Sequence, residues 1–175
     1  MLSVLIEVGE EPGPLAASLL SLVPGAVEGM VRDVVVLDRG LGEEARAVAE
    51  EAGCRIAEGE SMAGTISAAR GEWLLLLCVG ARLSPGWIEA VGNHFSFGHG
   101  AGPRPARFSR SWEGRGLSRF LDPFAWWSPP LSCGLILSKG QALSKAGNAR
   151  SLADLAKGVA SVRLDAAIRP YAAQP

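Results

Sequence analysis

The sequence predicts a single α/β domain with a mostly parallel central sheet and helices on both of its faces. Three observations carry that prediction. Apolar, β-branched runs alternate with helix-patterned segments four times in roughly the first 95 residues, the order that βαβ units produce. The run "WLLLLCV" (73–79) is apolar throughout, as a strand buried on both faces must be. The chain's 175 residues suit one domain with a core of its own. Right-handed crossovers between such strands make the first half doubly wound and Rossmann-like.

The first strand is "SVLIEV" (3–8), a short apolar run. Pro12 and Pro14 suit the first turn of a helix, "PLAASLLSLV", which Pro24-Gly25 is expected to end. "DVVVLD" (33–38) is a second, β-branched strand. "GEEARAVAEEAG" (42–53) has acids in its first turn and Gly53 as a natural C-terminal stop. "CRIA" (54–57) is a short third strand. Ser61 is placed to cap a helix that runs to Arg70 and closes at Gly71. "WLLLLCV" follows as the expected centre of the sheet, and Ser84-Pro85 open a helix toward Phe95.

Residues 96–131 change character, with five arginines, three tryptophans and many turn formers. They read as long loops with one short helix near 116–121. Regularity returns with "SCGLILS" (132–138) as a strand and "KGQALSKAG" as a helix. "RSLADLAKG" is a second short helix, "SVRLD" (161–165) a last strand, and "RPYAAQP" a frayed tail.

Composition narrows the function. Hydrophobic residues make up 48% and charged residues 20%, the balance of an ordinary globular protein. A net charge of -1 gives no field to gather nucleic acid or an anionic membrane. The longest apolar run is far too short to span a bilayer, and the acidic start "MLSVLIEVGEEPG" does not look like a signal peptide. Cys54, Cys78 and Cys133 form no metal-binding or CxxC pattern, so reduced thiols and a cytoplasmic setting are expected. His94 and His99, five apart across a glycine-rich turn, suggest neither a metal pair nor a catalytic dyad. Neither a cofactor nor a metal is expected, and oligomeric state is not legible.

Ligands of open parallel sheets bind beyond the carboxyl ends of the strands. That rule selects Glu7–Gly9, Asp38–Gly40, Glu58–Glu60 and Cys78–Arg82 as the rim of a site. No GxGxxG follows the first strand, which disfavours a dinucleotide site of the usual kind. Asp38 offers a carboxylate for a base or ribose, and equally reads as a turn or helix-capping aspartate.

The motifs, taken together, resemble family-2-type glycosyltransferases, which have the GT-A fold. "DVVVLDRGLGEEARAVAEEAG" is similar to that family's second strand and the acidic turn after it. "GTISAARGEWLLLLCVGARLSPGWIEAV" is similar to its N-x-G…D-x-D…L-x-P-x-W block. "GLILSKGQALSKAGN" and "SLADLAKG" resemble the stretches before and at its acceptor-side helix. The resemblance, spread over residues 3–165, implies a nucleotide-binding half (1–95) and an acceptor-side half (96–175) with a long loop at 96–131. It implies a nucleotide-sugar donor held by Val8, Gly9, Glu10, Asp38 and Gly40, with Asp38 on the base. It places Asp154 as the base that deprotonates the acceptor.

The departures are as informative. In the family, an acidic D-x-D motif holds a divalent cation that neutralises the departing diphosphate. Here Cys78, Val79 and Gly80 stand in its place, and none offers the hard oxygen donors such a cation needs. Arg82 is a candidate substitute charge at the phosphate or former metal site, and also reads as an ordinary surface arginine. Trp126 and Trp127 are candidate stacking residues on the acceptor side, and equally core or interface residues. Arg104, Arg107, Arg110, Arg115 and Arg119, interleaved with Phe108, Trp112 and Phe120, read as a loop with solvated charges ahead of a phosphate or nucleic-acid surface. Three functions follow: a metal-independent glycosyltransferase, a non-catalytic module on the same scaffold, and, least favoured, a nucleic-acid partner.

Overall fold

The computed structural model of the chain describes residues 1–96, 104–110 and 131–170. Its elements are β1 (Leu2–Val8), α1 (Pro12–Val27), β2 (Val31–Asp38), α2 (Glu43–Glu51), β3 (Arg55–Ala57), α3 (Met62–Ala68) and β4 (Trp73–Cys78). They continue with β5 (Arg82–Leu83), α4 (Trp87–Ser96), β6 (Ala106–Arg110), β7 (Leu135–Ser138), α5 (Lys139–Ala146), α6 (Leu152–Ala156) and β8 (Val162–Arg169). The eight strands form one sheet in the order β3-β2-β1-β4-β7-β6-β8-β5.

The first four strands are parallel, and β4 lies fourth in the order, near the centre as its sequence requires. The sheet as a whole is mixed, which corrects the expectation of a mostly parallel one. β7 runs antiparallel to both β4 and β6, β6 is parallel to β8, and β5 is antiparallel to β8. The parallel half follows from long helical crossovers. In the second half the neighbours in the sheet are mostly not consecutive in the chain, and such pairs can run in either direction.

Alternation along the strands divides the core in two. Leu2, Val4, Ile6 and Val8 of β1 and Leu75 and Leu77 of β4 face one side, with Leu15 of α1, Ala45 and Ala49 of α2, and Trp87 and Val91 of α4. Leu5, Leu74 and Leu76 face the other, with Ile66 of α3, Ala142 of α5, and Leu152 and Leu155 of α6. Helices thus cover both faces. Burying a leucine or valine fully contributes about 1.5–3 kcal/mol, and both faces of β1 and β4 are used.

Three boundaries depart from the sequence reading. Helix α1 does not stop at Pro24-Gly25 but runs through them to Val27. Proline removes one helical donor, yet Leu20, whose carbonyl loses its partner, is on the exposed side. Gly25 is buried, and a side-chain carbon there would overlap the indole of Trp87. The "ARFSR" segment, expected as loop, is β6. Its period-2 pattern buries Ala106 and Phe108, and Arg107 donates to the Ala156 carbonyl at 3.1 Å. The tail expected to fray from Arg169 instead starts as strand, because Arg169 ends β8 paired with Arg82, while the rest of the tail beyond Pro170 and the short helix expected near 116–121 lie outside the described residues.

Candidate functional site

The parallel register brings the nucleotide-side candidates together. Val8 and Asp38 are partners at the ends of β1 and β2, and the Arg39 amide donates to the Val8 carbonyl at 3.0 Å. Beyond them the chain after β1 folds over the start of α2. A side-chain carbon on Gly42 would come within 2.6 Å of the Glu10 carbonyl oxygen, so only glycine lets the two segments meet. Val8, Gly9, Glu10, Asp38 and Gly40 therefore belong to one patch of the strand-end rim.

Asp38 is a turn aspartate. Its Oδ1 accepts from the amides of Gly40 and Leu41, both at 2.8 Å, while Gly40 adopts the left-handed conformation with φ of 89°. These backbone donors, ahead of Arg46, hold its carboxyl below the usual carboxylate range. Oδ2 has only a 3.3 Å contact with Arg46, which also pairs with Glu58. A hydrogen-bond acceptor thus remains on an ionised carboxylate.

The rim carries more ordered charge than its sequence suggests. Arg39 pairs with Glu7 at 2.6 Å and donates to the Arg150 carbonyl at 2.5 Å. Glu7 also accepts from the Leu152 amide at 3.1 Å. Arg55 pairs with Glu60 at 2.9 Å and donates to the Thr65 carbonyl at 3.0 Å. Glu7, Arg39, Arg46 and Arg55 escape sequence reasoning as a group because their partners are 5 to 145 positions away.

The end of β4 does not fit a divalent cation. Cys78 pairs in register with Glu7 and is half-buried. Burial, then the charge of Glu7 and the nearby Cys133, push its thiol up, so it stays protonated and donates poorly to a metal. Gly80 is buried in a left-handed turn with φ of 82°, and its amide donates to the Ser18 hydroxyl at 2.8 Å. Among the described residues no three His, Cys, Asp or Glu side chains group as a metal site. No step is therefore derived through a cation.

Asp154 sits at the third position of α6 as the acid of a capping box. Its Oδ2 accepts from the amides of Arg150 and Ser151, both at 3.1 Å, and from the Ser151 hydroxyl at 3.0 Å. Its Oδ1 accepts from Lys157 at 2.7 Å. Lys157 first, then Ser151 and the Arg150 amide, hold its pKa down to about 2. The interactions fix the side chain and make it a weak base. Arg82 lies on β5 facing a groove beside α1, while Trp126 and Trp127 fall outside the described residues.

No protein-family model and no curated protein sequence matches the chain. Solved structures do. A glucosyl-3-phosphoglycerate synthase from Mycobacterium tuberculosis, in complex with uridine diphosphate, superposes with a TM-score of 0.57 at 19% identity. That match covers 100% of this chain and 73% of the synthase. The same synthase with Mn2+ and UDP-glucose gives 0.60 at 17% identity, covering 100% of this chain and 72% of that one. S. aureus TarS gives 0.67 at 14% identity over 98% of this chain, which spans only 36% of TarS. The chain has the GT-A fold of these glycosyltransferase structures. No helix among the described residues is long and apolar enough to cross a membrane.

Proposed function

We propose that this chain binds a nucleotide sugar on a glycosyltransferase scaffold without a divalent cation. The observation that carries the reading is the register of β1 and β2, which sets Val8 beside an ionised Asp38 whose Oδ2, held only by the 3.3 Å hydrogen bond from Arg46, keeps a lone pair for a further donor. In this reading Asp38 accepts from the base or ribose, and the left-handed Gly40 keeps the turn open beside it. The diphosphate lies toward Cys78 and Gly80, the positions of the former metal site. Arg82 lines a groove beside α1, and this reading does not draw on its charge. The synthase solved with UDP-glucose supports a uridine nucleotide as the first donor to try.

If transfer occurs, Asp154 is the base nearest the family's pattern. The second reading is a non-catalytic binding module, and Asp154 itself favours it. A carboxylate near pKa 2 with both oxygens already accepting is poorly suited to take a proton from a sugar hydroxyl.

Calorimetry with UDP, UDP-glucose and GDP-mannose, each with and without manganese, tests both. The expected result is weak binding that manganese does not change and that Asp38→Asn reduces, since the amide keeps the turn but loses the charge. Manganese-dependent binding in the micromolar range would overturn the metal-free site. Absence of binding to every nucleotide sugar would overturn the donor site itself. Turnover of bound donor, with loss on Asp154→Asn, would decide for the enzyme over the module.

A further inference from the structure

Two of the three cysteines lie across one antiparallel strand pair. In β4 and β7, Leu74 stands opposite Leu137, Leu75 opposite Ile136 and Leu76 opposite Leu135. Two further steps in that register bring Cys78, the last residue of β4, to Cys133, just ahead of β7. Gly134 takes the left-handed conformation, with φ of 59°, and its amide turns back to the Leu131 carbonyl at 2.9 Å. The segment still stays against its neighbours. A side-chain carbon on Gly134 would lie 3.6 Å from Leu75 Cδ1 of β4 and 3.3 Å from Phe108 Cδ2 of β6. The Phe108 amide donates to the Cys133 carbonyl at 3.0 Å.

Residues opposed in this way have Cα atoms about 4.5–5.5 Å apart, inside the range of about 4.4–6.8 Å that a disulfide spans. Both thiols are half-buried and pack against the same core cluster. Their electrostatic surroundings differ. Glu7 is the register partner of Cys78 on its other side, and its carboxylate adds to burial in disfavouring the Cys78 thiolate. Cys133 interacts instead with the cationic Arg107. Cys54 lies elsewhere, between α2 and the edge strand β3.

We propose that Cys78 and Cys133 form an oxidative modification site, which a low-molecular-weight disulfide such as oxidised glutathione converts to an internal disulfide. The Cys133 thiolate attacks one sulfur of the reagent, forming a mixed disulfide and releasing one thiol. The Cys78 thiolate then attacks Cys133 Sγ and releases the second. The protein gives up two protons and two electrons, and the reagent becomes two thiols. The new bond ties the end of β4, beside Glu7, to the segment entering β7. This goes beyond the nucleotide reading and does not depend on it.

The full chain, equilibrated at about pH 8 with mixtures of reduced and oxidised glutathione, tests the idea. Acid quenching, alkylation and peptide mass spectrometry should find one internal disulfide, joining Cys78 with Cys133 and reversed by dithiothreitol. It should exceed glutathione adducts on these two cysteines by about tenfold, because the second thiol is already held in reach. Cys54→Ser should form the same bond to the same extent and Cys133→Ser none, with melting curves establishing that both are folded. In urea the pair nearer in the chain, Cys54 with Cys78, should predominate instead. Glutathione adducts alone, a native disulfide through Cys54, or thiols still reduced at the most oxidising mixture would each overturn the site. So would a preference for Cys78 with Cys133 that persists in urea, since it would not come from the fold.

Discussion

Glu7 and Arg39, at the ends of neighbouring parallel strands, form an ion pair of 2.6 Å that also holds the entry to α6. Glu7 accepts from the Leu152 amide and Arg39 donates to the Arg150 carbonyl, so one pair ties residues more than a hundred positions apart. Glu7→Ala removes the acceptor for both the arginine and the helix amide. The side chain is only partly exposed, so the expected cost is about 1–2 kcal/mol after discounting for solvent screening. Hydrogen exchange should show the amides of α6 opening before those of β1. Equal protection of α6 in the variant would show that its apolar face alone holds it.

Gly71 marks where the chain passes against β1. A side-chain carbon there would come within 2.5 Å of the Ser3 nitrogen and 2.8 Å of the Leu2 carbonyl carbon, both backbone atoms that cannot swing aside. Gly71→Ala is therefore expected to destabilise by about 1–3 kcal/mol. Gly140, in the first turn of α5, has nothing within 4 Å, and Gly140→Ala should stabilise by about 0.5 kcal/mol. Urea unfolding of the two variants should move the midpoint in opposite directions.

The acid limb of stability should carry the signature of Asp154. Its pKa is about 2 in the folded chain against about 3.9 unfolded, so folding favours the ionised form. Its contribution is present above pH 4 and is lost as the pH falls toward 2. Asp38, also lowered, adds in the same direction. Urea unfolding between pH 5 and pH 2 should show a slope that Asp154→Asn makes shallower. A slope identical in wild type and variant would mean that the capping box is not populated in solution.

Thiol chemistry gives a separate check on the strand ends. Burial pushes the Cys54 thiol up to about 11 and raises that of Cys78 as well. Both should react slowly with an aromatic disulfide reagent at pH 8 in the folded chain and rapidly in urea. Fast native reaction of Cys78, isolated in a Cys54→Ser, Cys133→Ser double variant, would place a thiolate at the end of β4. That would reopen the metal question.

The candidate site was partly legible. Asp38 and Gly40 announce themselves as an acid and a flexible residue directly after a β-branched strand, and the β1–β2 register confirms that Val8 meets them. The loss of carboxylates at residues 78–80 is visible in the letters alone. The saturation of Asp154 was not legible, because its partners Ser151 and Lys157 also fit an ordinary exposed helix. Strand β6 was hidden by its arginines. Long cationic stems can lie along a sheet and carry their charge to its margin, so Arg107 and Arg110 obscured the inward Ala106 and Phe108.

Local patterns by themselves determined the parallel half of this protein. An uninterrupted apolar run such as Trp73–Cys78 has only one stable place, between two covered faces, and helices of ordinary length must supply the cover. Tertiary structure alone decided the antiparallel half, the run of α1 through Pro24, and the pairing of Arg82 with Arg169. Each of these depends on what lies across space. Gly25 is helical where Trp87 packs on it, and β7 turns against β4 because Leu135–Ser138 fills its open edge. Sequence spacing carries the periodicity of a strand or a helix, but contact energies between distant segments choose the partner and direction.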